Sequence, residues 1–364
     1  MKKITFILCA VLMVLAACNK HQNEYTINGH LDDADFEGKT VYLYDAFQGT
    51  ELKSAVITNG AFTFTDTVSS PVLVSIRTVD GEEINYSLMA VLEPGTIYAD
   101  LVTDSLSGTA LNDNLHKFVM FENEIGDGLQ EDYTQMMIIE DEAEQKEAMK
   151  EFEARYEEAM AQYNQIVNQN YNENKSNILG VYFLNNMQEL TYEQLNTMLE
   201  DAAPVVVNHP SVQQKLEMLR KLEATKAGQA YVDIDVIDYQ TGNAAKLSDY
   251  VAGKIALVDF WASWCRPCRA EIPNIANIYK KYGDKIAVIS LNVWDEAESQ
   301  AETIKELNMN WIQLSDTTKK ATEAYGINGI PQIMLIGADG TILARDLREG
   351  AIEEAIVNAL KQNS

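Results

Sequence analysis

The stretch that decides the fold is VDFWASWCRPCRAEIP, Val258–Pro273, in which two cysteines three positions apart follow an apolar run. A Cys-x-x-Cys pair of this kind serves in proteins as half of a zinc site, as a structural staple or as a redox centre. The residues around Cys265 and Cys268, and the chain on either side, favour one of these uses.

From Gly228 onward, stretches with strand character alternate with stretches of helical periodicity. We predict strands at 254–262, 285–293, 332–337 and 341–346, and helices at 266–282, 298–307 and 349–361. The alternation predicts a partly parallel central sheet, and the Asp339-Gly340 turn predicts an antiparallel hairpin at its end. Residues 227–364 are therefore expected to form an α/β domain.

Cys265 follows a predicted strand and begins a predicted helix. Unsatisfied N–H groups and a partial positive charge at a helix N-terminus stabilise a thiolate, and we expect Arg266 and Arg269 to act in the same direction. Pro267 suits the first helical turn, where its missing N–H costs little. Cys268 lies one turn further along the helix, where it can attack a mixed disulfide. The position of the pair favours a redox centre.

Three other readings of the pair are weaker. A structural zinc site needs two more ligands, and His116 and His209 each stand alone. A staple across two residues constrains the unfolded chain very little. A peroxidase like the peroxiredoxins would carry Pro-x-x-x-Thr-x-x-Cys, but Val258 and Ala262 stand seven and three residues before Cys265.

The N-terminal residues have the pattern of an export signal. Lys2 and Lys3 precede an apolar stretch, and LAAC at 15–18 resembles the lipobox of bacterial lipoproteins. The resemblance implies a signal peptide at 1–17, a diacylglycerol on Cys18, a tether at 18–24 and a cell-envelope lipoprotein, periplasmic or surface-exposed, held to a membrane by that lipid. The alternative is an ordinary signal peptide with a chance cysteine. Cys9 would leave with the signal, so Cys265 and Cys268 could pair with each other or with a partner's sulfur.

The charge of the chain is strongly acidic. It has 364 residues, with 28 Lys and Arg against 55 Asp and Glu, a net charge of −27. Removal of the signal would leave 26 basic against 55 acidic residues, or −29. Nucleic acid is therefore not expected as a partner, since binding phosphate requires a basic face. The sequence has no second apolar run long enough to cross a bilayer, and the body is expected to be water-soluble.

Two further segments precede the α/β domain. Residues 25–111 contain short strand-like stretches and the turn signals Asn59-Gly60 and Asp80-Gly81, which predict a small antiparallel β-sandwich or barrel. This segment resembles a domain of unknown function that precedes thioredoxin-like domains in bacterial lipoproteins, through FEGKTVYLYD, VITNGAFTFT, VLEPGTIYADL and LSGTALND. Residues 112–226 predict an α-helical connector, with a second helical group at 178–200. Its acidic stretch at 121–160, with 14 acidic and 3 basic residues, is interpreted as a solvated face rather than a cation or partner site.

The cysteine segment LVDFWASWCRPC resembles the active site of the thioredoxin superfamily. WCRPCRAEIP together with YGINGIPQIMLIGADGTIL is most similar to its exported branch, the TlpA-like thiol–disulfide oxidoreductases. The resemblance implies a thioredoxin-like fold, with Cys265 as nucleophile, Cys268 as resolving thiol and a disulfide between them. It implies that Pro331 is a cis-proline facing this disulfide, with the backbone of Ile330 binding a substrate strand. Gln332 stands where thioredoxins usually have Thr, so substrate fit is expected to differ.

Two acids and a tryptophan complete the predicted site. Asp259 lies within an apolar strand and matches the family's buried acid, which implies a raised pKa and proton exchange with Cys268; the alternative is a solvated Asp at an edge. Glu271 lies three residues after Cys268 and matches an acid of cytochrome-maturation members; the alternative is a solvent-facing helix residue. Trp264 is expected to form an apolar docking rim beside Arg266 and Pro267, and Trp261 to lie in the core.

The resemblance implies an exported reductant of protein disulfides, with apocytochrome c as an analogous substrate. The sequence calls for no metal, flavin or nicotinamide, and a membrane reductase would have to restore the dithiol. An oxidant or isomerase, or a peroxide-linked redoxin, is the alternative enzyme. A peptide-binding module without catalysis is the alternative of another class, although the presence of both cysteines argues against it.

Overall fold

The structure is a computed structural model that describes residues 23–80, 83–316 and 318–362. It divides into two compact units: one comprises the chain up to Glu189 with Met198–Val212, and the other comprises Leu190–Thr197 with the chain from Gln213. The predicted signal peptide at 1–17 and the lipidation site Cys18 lie outside the described residues. Within these ranges, no helix has both the length and the apolar character that a membrane crossing requires.

The first unit begins with eight strands in two four-stranded sheets. The strands are β1 Glu24–His30, β2 Thr40–Asp45, β3 Glu51–Val56, β4 Ala61–Thr67, β5 Val72–Asp80, β6 Glu83–Leu92, β7 Gly95–Asp100 and β8 Ser105–Ser107. Their orders are β4-β1-β7-β8 and β3-β2-β5-β6. The β-rich N-terminal domain is thereby confirmed. The antiparallel prediction is wrong for β1 and β7, which run parallel. The chain passes through the whole second sheet between these two strands, and so long a connection permits parallel pairing.

The Asn59-Gly60 turn connects the two sheets. Asn59 and Gly60 adopt φ of 52° and 68°, and Thr58 pairs with Ala61 in an isolated antiparallel bridge. The flanking strands β3 and β4 belong to different sheets. The predicted tight turn is present, but it carries the chain across the sandwich instead of closing a hairpin within one sheet.

Helices follow the β-rich region. They are α1 Ala110–Met137, α2 Glu142–Asn174, α3 Ile178–Asn186, α4 Tyr192–Leu199, α5 Pro204–Val207 and α6 Pro210–Ala224. The Asp141 carboxylate caps α2 by accepting hydrogen bonds from the backbone N–H groups of Ala143 and Glu144. The helical group predicted at 178–200 is two helices, because the backbone becomes extended at Met187 and Glu189 has a φ of 57° that a right-handed helix cannot accommodate.

The second unit carries a seven-stranded sheet of order β10-β9-β13-β12-β11-β14-β15. The elements are β9 Asp235–Asp238, β10 Ala244–Lys246, α7 Ser248–Val251, β11 Ala256–Trp261, α8 Arg266–Tyr282, β12 Ala287–Asn292, α9 Ala297–Glu306, β13 Ile312–Ser315, α10 Lys320–Tyr325, β14 Gln332–Ile336, β15 Ile342–Ala344 and α11 Glu349–Gln362. Strands β11, β12 and β13 run parallel, β14 runs antiparallel to β11, and β15 runs antiparallel to β14. The thioredoxin-like fold predicted from the sequence is confirmed.

Strand β11 is central and buried along its whole length. Its side chains alternate between the two faces of the sheet. Leu257 and Trp261 enter the apolar core that contains α8 and α11, whereas Val258 and Phe260 enter the core on the opposite face. Asp259 therefore lies on the face that α8 covers, which is the face of the two cysteines.

Candidate active site

Cys265 and Cys268 form a disulfide at the N-terminus of α8. Cys265 is the N-cap residue, and its sulfur accepts a hydrogen bond from the backbone N–H of Cys268 at 3.2 Å. The two cysteines are only 3% and 2% exposed. In the reduced protein the same N–H and the partial positive charge of the helix terminus favour the Cys265 thiolate, and so lower the cost of nucleophilic attack.

The loop before β14 lies against the disulfide. The Ile330–Pro331 peptide bond is cis, and the Cys265 sulfur lies 3.7 Å from the carbonyl oxygen of Ile330. Pro331 is buried and Ile330 is partly exposed. Backbone polar groups of this loop therefore lie next to the Cys265 sulfur, where an extended substrate segment could pair with them.

Two loops meet beside Cys265. The Trp264 side chain is 61% exposed and donates its indole N–H to the carbonyl oxygen of Trp294 at 3.0 Å. Asp295 accepts hydrogen bonds from the backbone N–H and the hydroxyl of Ser263, at 2.6 and 2.8 Å. Our sequence analysis missed Trp294 and Asp295. Their proximity to Cys265 could have been predicted, because the loops that follow adjacent parallel strands, here β11 and β12, meet at one edge of the sheet.

Arg266, Pro267 and Arg269, which flank the cysteines, differ in their surroundings. Arg266 and Pro267 are exposed. The Arg269 guanidinium is hydrogen-bonded to Glu306 at 2.8 Å and to Thr303 at 3.3 Å. Its charge is paired with an acid of α9, and the expectation that Arg269 favours the thiolate stays a prediction.

Asp259 is 2% exposed and so is buried, not solvated at an edge. Its Oδ2 accepts a hydrogen bond from the Ser290 hydroxyl at 3.2 Å, and its Oδ1 has no hydrogen-bond partner among the described residues. Burial raises the pKa of Asp259 to about 7, and the charge of Glu271 acts in the same direction, while Ser290 and Arg348 oppose it. A carboxyl with this pKa exchanges its proton near neutral pH.

Glu271 is also buried, with 8% exposure, and does not face solvent. Its Oε1 accepts hydrogen bonds from the Asn274 side-chain amide at 2.6 Å and from the backbone N–H of Glu349 at 3.2 Å. Glu349 is the first residue of α11. The carboxylate therefore joins α8 to the start of α11, where an N-terminal N–H needs an acceptor.

Two polar side chains adjoin the cis-proline. The Arg348 guanidinium donates hydrogen bonds to the carbonyl oxygens of Pro331 and Leu347. Gln332 is 6% exposed, and its Nε2 lacks a hydrogen-bond partner in the part of the chain that the structure describes. The sequence singled out Gln332 but gave no signal for Arg348, which lies 17 residues beyond the proline.

A metal centre has no counterpart in the described ranges, where no group of three or more His, Cys, Asp or Glu side chains could hold an ion. The chemistry of the site lies in its two sulfurs and the buried carboxyl of Asp259. A redox-type disulfide at the start of the helix after the central strand, facing a cis-proline, defines the class of thioredoxin-like redox domains.

Comparison with known families gives the same class. Residues 227–345 match the model of the AhpC/TSA family. Residues 25–115 match a domain of unknown function, DUF4369.

Curated relatives match the chain in part. Thiol-disulfide oxidoreductase ResA of Bacillus subtilis is 28% identical over 109 residues, which are 30% of this chain and 60% of ResA. Thiol:disulfide interchange protein CycY of Rhizobium leguminosarum is 31% identical over 116 residues, 31% of this chain and 61% of CycY. The thioredoxin domain of a thiol-disulfide oxidoreductase from Bacteroides vulgatus, a crystal structure, is 30% identical and covers 36% of this chain and 96% of its own, with a TM-score of 0.34. The chain thus spans about three fifths of the length of these two curated relatives.

Proposed function

We propose that the protein is an exported, membrane-anchored thiol–disulfide oxidoreductase that reduces disulfides in other proteins. The observation that carries the proposal is the disulfide of Cys265 and Cys268 at the N-terminus of α8, with the Cys265 sulfur 3.7 Å from the carbonyl oxygen of Ile330. The similarity of the C-terminal domain to ResA and CycY supports it.

The reaction transfers two electrons. The Cys265 thiolate attacks one sulfur of a substrate disulfide, the substrate S–S bond breaks, and the other substrate sulfur leaves as a thiolate that takes up a proton. Cys268 then loses its proton to Asp259 and attacks the Cys265 sulfur of the mixed disulfide. The second substrate thiolate leaves, the substrate is a dithiol, and Cys265 and Cys268 are a disulfide again.

Surrounding residues have distinct roles in this scheme. Trp264 offers an exposed apolar surface for docking, next to the exposed Arg266 and Pro267. The backbone of Ile330 and the Pro331 loop bind an extended substrate segment. Glu271 holds the start of α11 and places its negative charge near Asp259.

The proposal also specifies the direction of electron flow and the lipid that anchors the protein to a membrane. As a reductant, the protein needs a membrane reductase to return two electrons to the Cys265–Cys268 disulfide. A lipid on Cys18 would hold it at the same membrane. A Cys18→Ala variant is expected to move from the membrane fraction to the soluble fraction and to lose labelling by fatty acid, and retention at the membrane would contradict the lipid anchor.

Two measurements test the exchange reaction. A Cys268→Ser variant is expected to accumulate a mixed disulfide with an oxidised protein substrate through Cys265, and a Cys265→Ser variant is not. The reduction potential of the pair decides the direction: a value near −270 mV, about that of thioredoxin, supports a reductant, and one near −120 mV, about that of a strong oxidant, supports disulfide formation instead. If the Cys265–Cys268 pair showed no reversible oxidation and reduction in thiol buffers, the proposed enzymatic activity would be wrong.

A further inference from the structure

A row of three buried polar side chains crosses the sheet under α8. Asp259 of β11 lies opposite Ser290 of β12, and Ser290 lies opposite Gln313 of β13. Their side chains are 2%, 0% and 3% exposed. Residues directly opposite each other on neighbouring strands point to the same face, so the row shares the face of Asp259. Polar groups buried this deeply need partners.

The two hydrogen bonds of the Ser290 hydroxyl have a fixed direction. The indole N–H of Trp311 donates to Ser290 Oγ at 2.9 Å, and Ser290 Oγ donates to Asp259 Oδ2 at 3.2 Å. An indole can only donate, and a serine hydroxyl has a single hydrogen. Trp311 and Asp259 are the side-chain partners of this hydroxyl in the described ranges, so its hydrogen points to Oδ2.

The two oxygens of Asp259 are therefore not equivalent. Oδ2 already accepts a hydrogen bond, whereas Oδ1 is buried with no partner in the described chain. A neutral carboxyl carries its proton on one oxygen, and the oxygen that accepts a fixed donor is the poorer place for it. The proton of neutral Asp259 belongs on Oδ1.

We propose that Ser290 and Trp311 are positioning residues for thiol–disulfide exchange, which hold Asp259 so that Oδ1 takes the proton of Cys268. The inference rests on the proposed function, in which Asp259 is the proton acceptor. In this step the Cys268 S–H bond breaks, the proton moves to Oδ1 of ionised Asp259, and the thiolate attacks the Cys265 sulfur. The substrate sulfur leaves with its electron pair, and Ser290 donates to Oδ2 throughout.

Trp311 is well suited to fix this direction. It is 3% exposed and belongs to the same apolar core as Cys268. Its ring lies 6.0 Å from the ring of Tyr279 on α8, at an interplanar angle of 48°. An indole packed in this way cannot turn its N–H elsewhere without disturbing the core, so Ser290 keeps a permanent donor.

Two charged groups also act on Asp259. Glu271 approaches from α8 and raises its pKa, and Arg348 approaches from the segment before α11 and lowers it. Opposite Asp259 on β14 lies Ile333, which is apolar. Ser290 acts in the same direction as Arg348, because its hydrogen bond favours the ionised carboxylate. A substitution of Ser290 leaves both charges in place, so a change in the pKa of Asp259 reports the effect of the hydrogen bond alone.

The direct test is an NMR titration of the Asp259 carboxyl carbon in oxidised protein labelled with ¹³C-aspartate, with Asp259→Asn identifying the resonance. Ser290→Ala is expected to raise the pKa of Asp259 by about half a unit or more. Trp311→Phe should raise it less, because the freed hydroxyl keeps its contact but loses its orientation. Ser290→Thr keeps the hydroxyl and should titrate like the wild type. The matched control is Ser315→Ala. Ser315 lies on the neighbouring strand β13 and its hydroxyl donates to Gln300 of α9 at 2.7 Å, so its loss should leave the titration unchanged.

A second measurement links the titration to exchange. The pH at which the rate of disulfide reduction is half-maximal should rise in Ser290→Ala, and the same change should have no effect in an Asp259→Asn background. Wild-type titration in both Ser290→Ala and Trp311→Phe, or a shift that persists without Asp259, would overturn the inference. The NMR titration does not depend on turnover. If the pKa of Asp259 shifts in the variants but the wild type shows no disulfide exchange, the proposed function fails. If the wild type exchanges disulfides but the pKa of Asp259 is the same in the variants, this inference fails.

Discussion

Both carboxylate oxygens of Asp295 are hydrogen-bonded to Ser263, one to its backbone N–H at 2.6 Å and the other to its hydroxyl at 2.8 Å. Ser263 lies two residues before Cys265, and Asp295 follows the neighbouring parallel strand β12. A third hydrogen bond, from the Asn292 side chain at 2.9 Å, holds the Asp295 carboxylate in place. The position of the nucleophile is thus set by a loop that carries no sulfur chemistry of its own.

Asp295→Ala should reduce kcat/KM for a protein disulfide about tenfold, because the loop that carries Trp264 and leads to Cys265 loses its fixed position. The measurement is the rate of insulin disulfide reduction, with the melting temperature recorded in parallel. Asp339→Ala is the matched control: Asp339 makes the same pair of bonds, to the N–H and hydroxyl of Thr341, in a turn of the β14–β15 hairpin. Equal losses of activity in the two variants would show that Asp295 contributes only to stability.

Asp259→Asn should change how stability depends on pH. Burial raises the pKa of Asp259 to about 7, above its value in the unfolded chain, so the folded protein retains a proton that the unfolded chain loses. The contribution of Asp259 to the free energy of unfolding therefore falls as pH rises from about 4 to about 7, and Asn lacks this contribution. Above pH 7 the variant should be more stable than the wild type by a few kcal/mol.

Urea unfolding of the oxidised proteins between pH 4 and 8 measures this difference. Asp238→Asn provides a control of opposite sign, because hydrogen bonds from Tyr250 and Thr241 lower the pKa of Asp238. Parallel stability curves for the wild type and Asp259→Asn would mean that Asp259 is not a perturbed acid.

Much of the C-terminal domain could be predicted from sequence because its main elements are long and strongly patterned. The run of β11, apolar except for Asp259, and the helical periodicity of α8 place Cys265 at a helix N-terminus without any structure. Strand β13 was missed because it is four residues long and contains Gln313, whose polar side chain hides the pattern of a buried strand. Short strands carry too few residues for their periodicity to show.

The resemblance identified the residues of the cysteine segment and of the Pro331 loop, but the sequence did not show which other side chains pack against Asp259. A single strand–helix unit contains Cys268, Asp259 and Glu271, so the resemblance of this segment to the family identified all three. Ser290 and Arg348 come from β12 and from the segment before α11, and only tertiary packing brings them to Asp259. A serine within an apolar strand gives no local sign that its hydroxyl faces a carboxyl on the neighbouring strand.

Gln332→Met should increase stability by about 1 kcal/mol. The Gln332 side chain is buried and its Nε2 finds no acceptor within the described residues, and an unsatisfied buried donor costs about 1–3 kcal/mol. Methionine has a similar length and no polar group. Chemical denaturation measures the change. Gln300→Met is the matched control, because the buried Gln300 amide donates to Leu314 and accepts from Ser315, so its loss should destabilise the protein. Destabilisation by Gln332→Met would reveal a partner for the amide.

Glu271→Gln should lower the pKa of Asp259, in the opposite direction to Ser290→Ala. The negative charge of Glu271 raises the pKa of Asp259, and the amide removes the charge while keeping an oxygen for the backbone N–H of Glu349. We therefore expect the pH profile of disulfide reduction to move to lower pH, with stability nearly unchanged. Glu271→Ala removes the hydrogen bonds as well and should cost about 1–2 kcal/mol by leaving the N–H of Glu349 without its acceptor. Carboxyl NMR and urea unfolding on both variants separate the two effects. A pKa of Asp259 that stays unchanged in Glu271→Gln would leave Glu271 with a purely structural role at the start of α11.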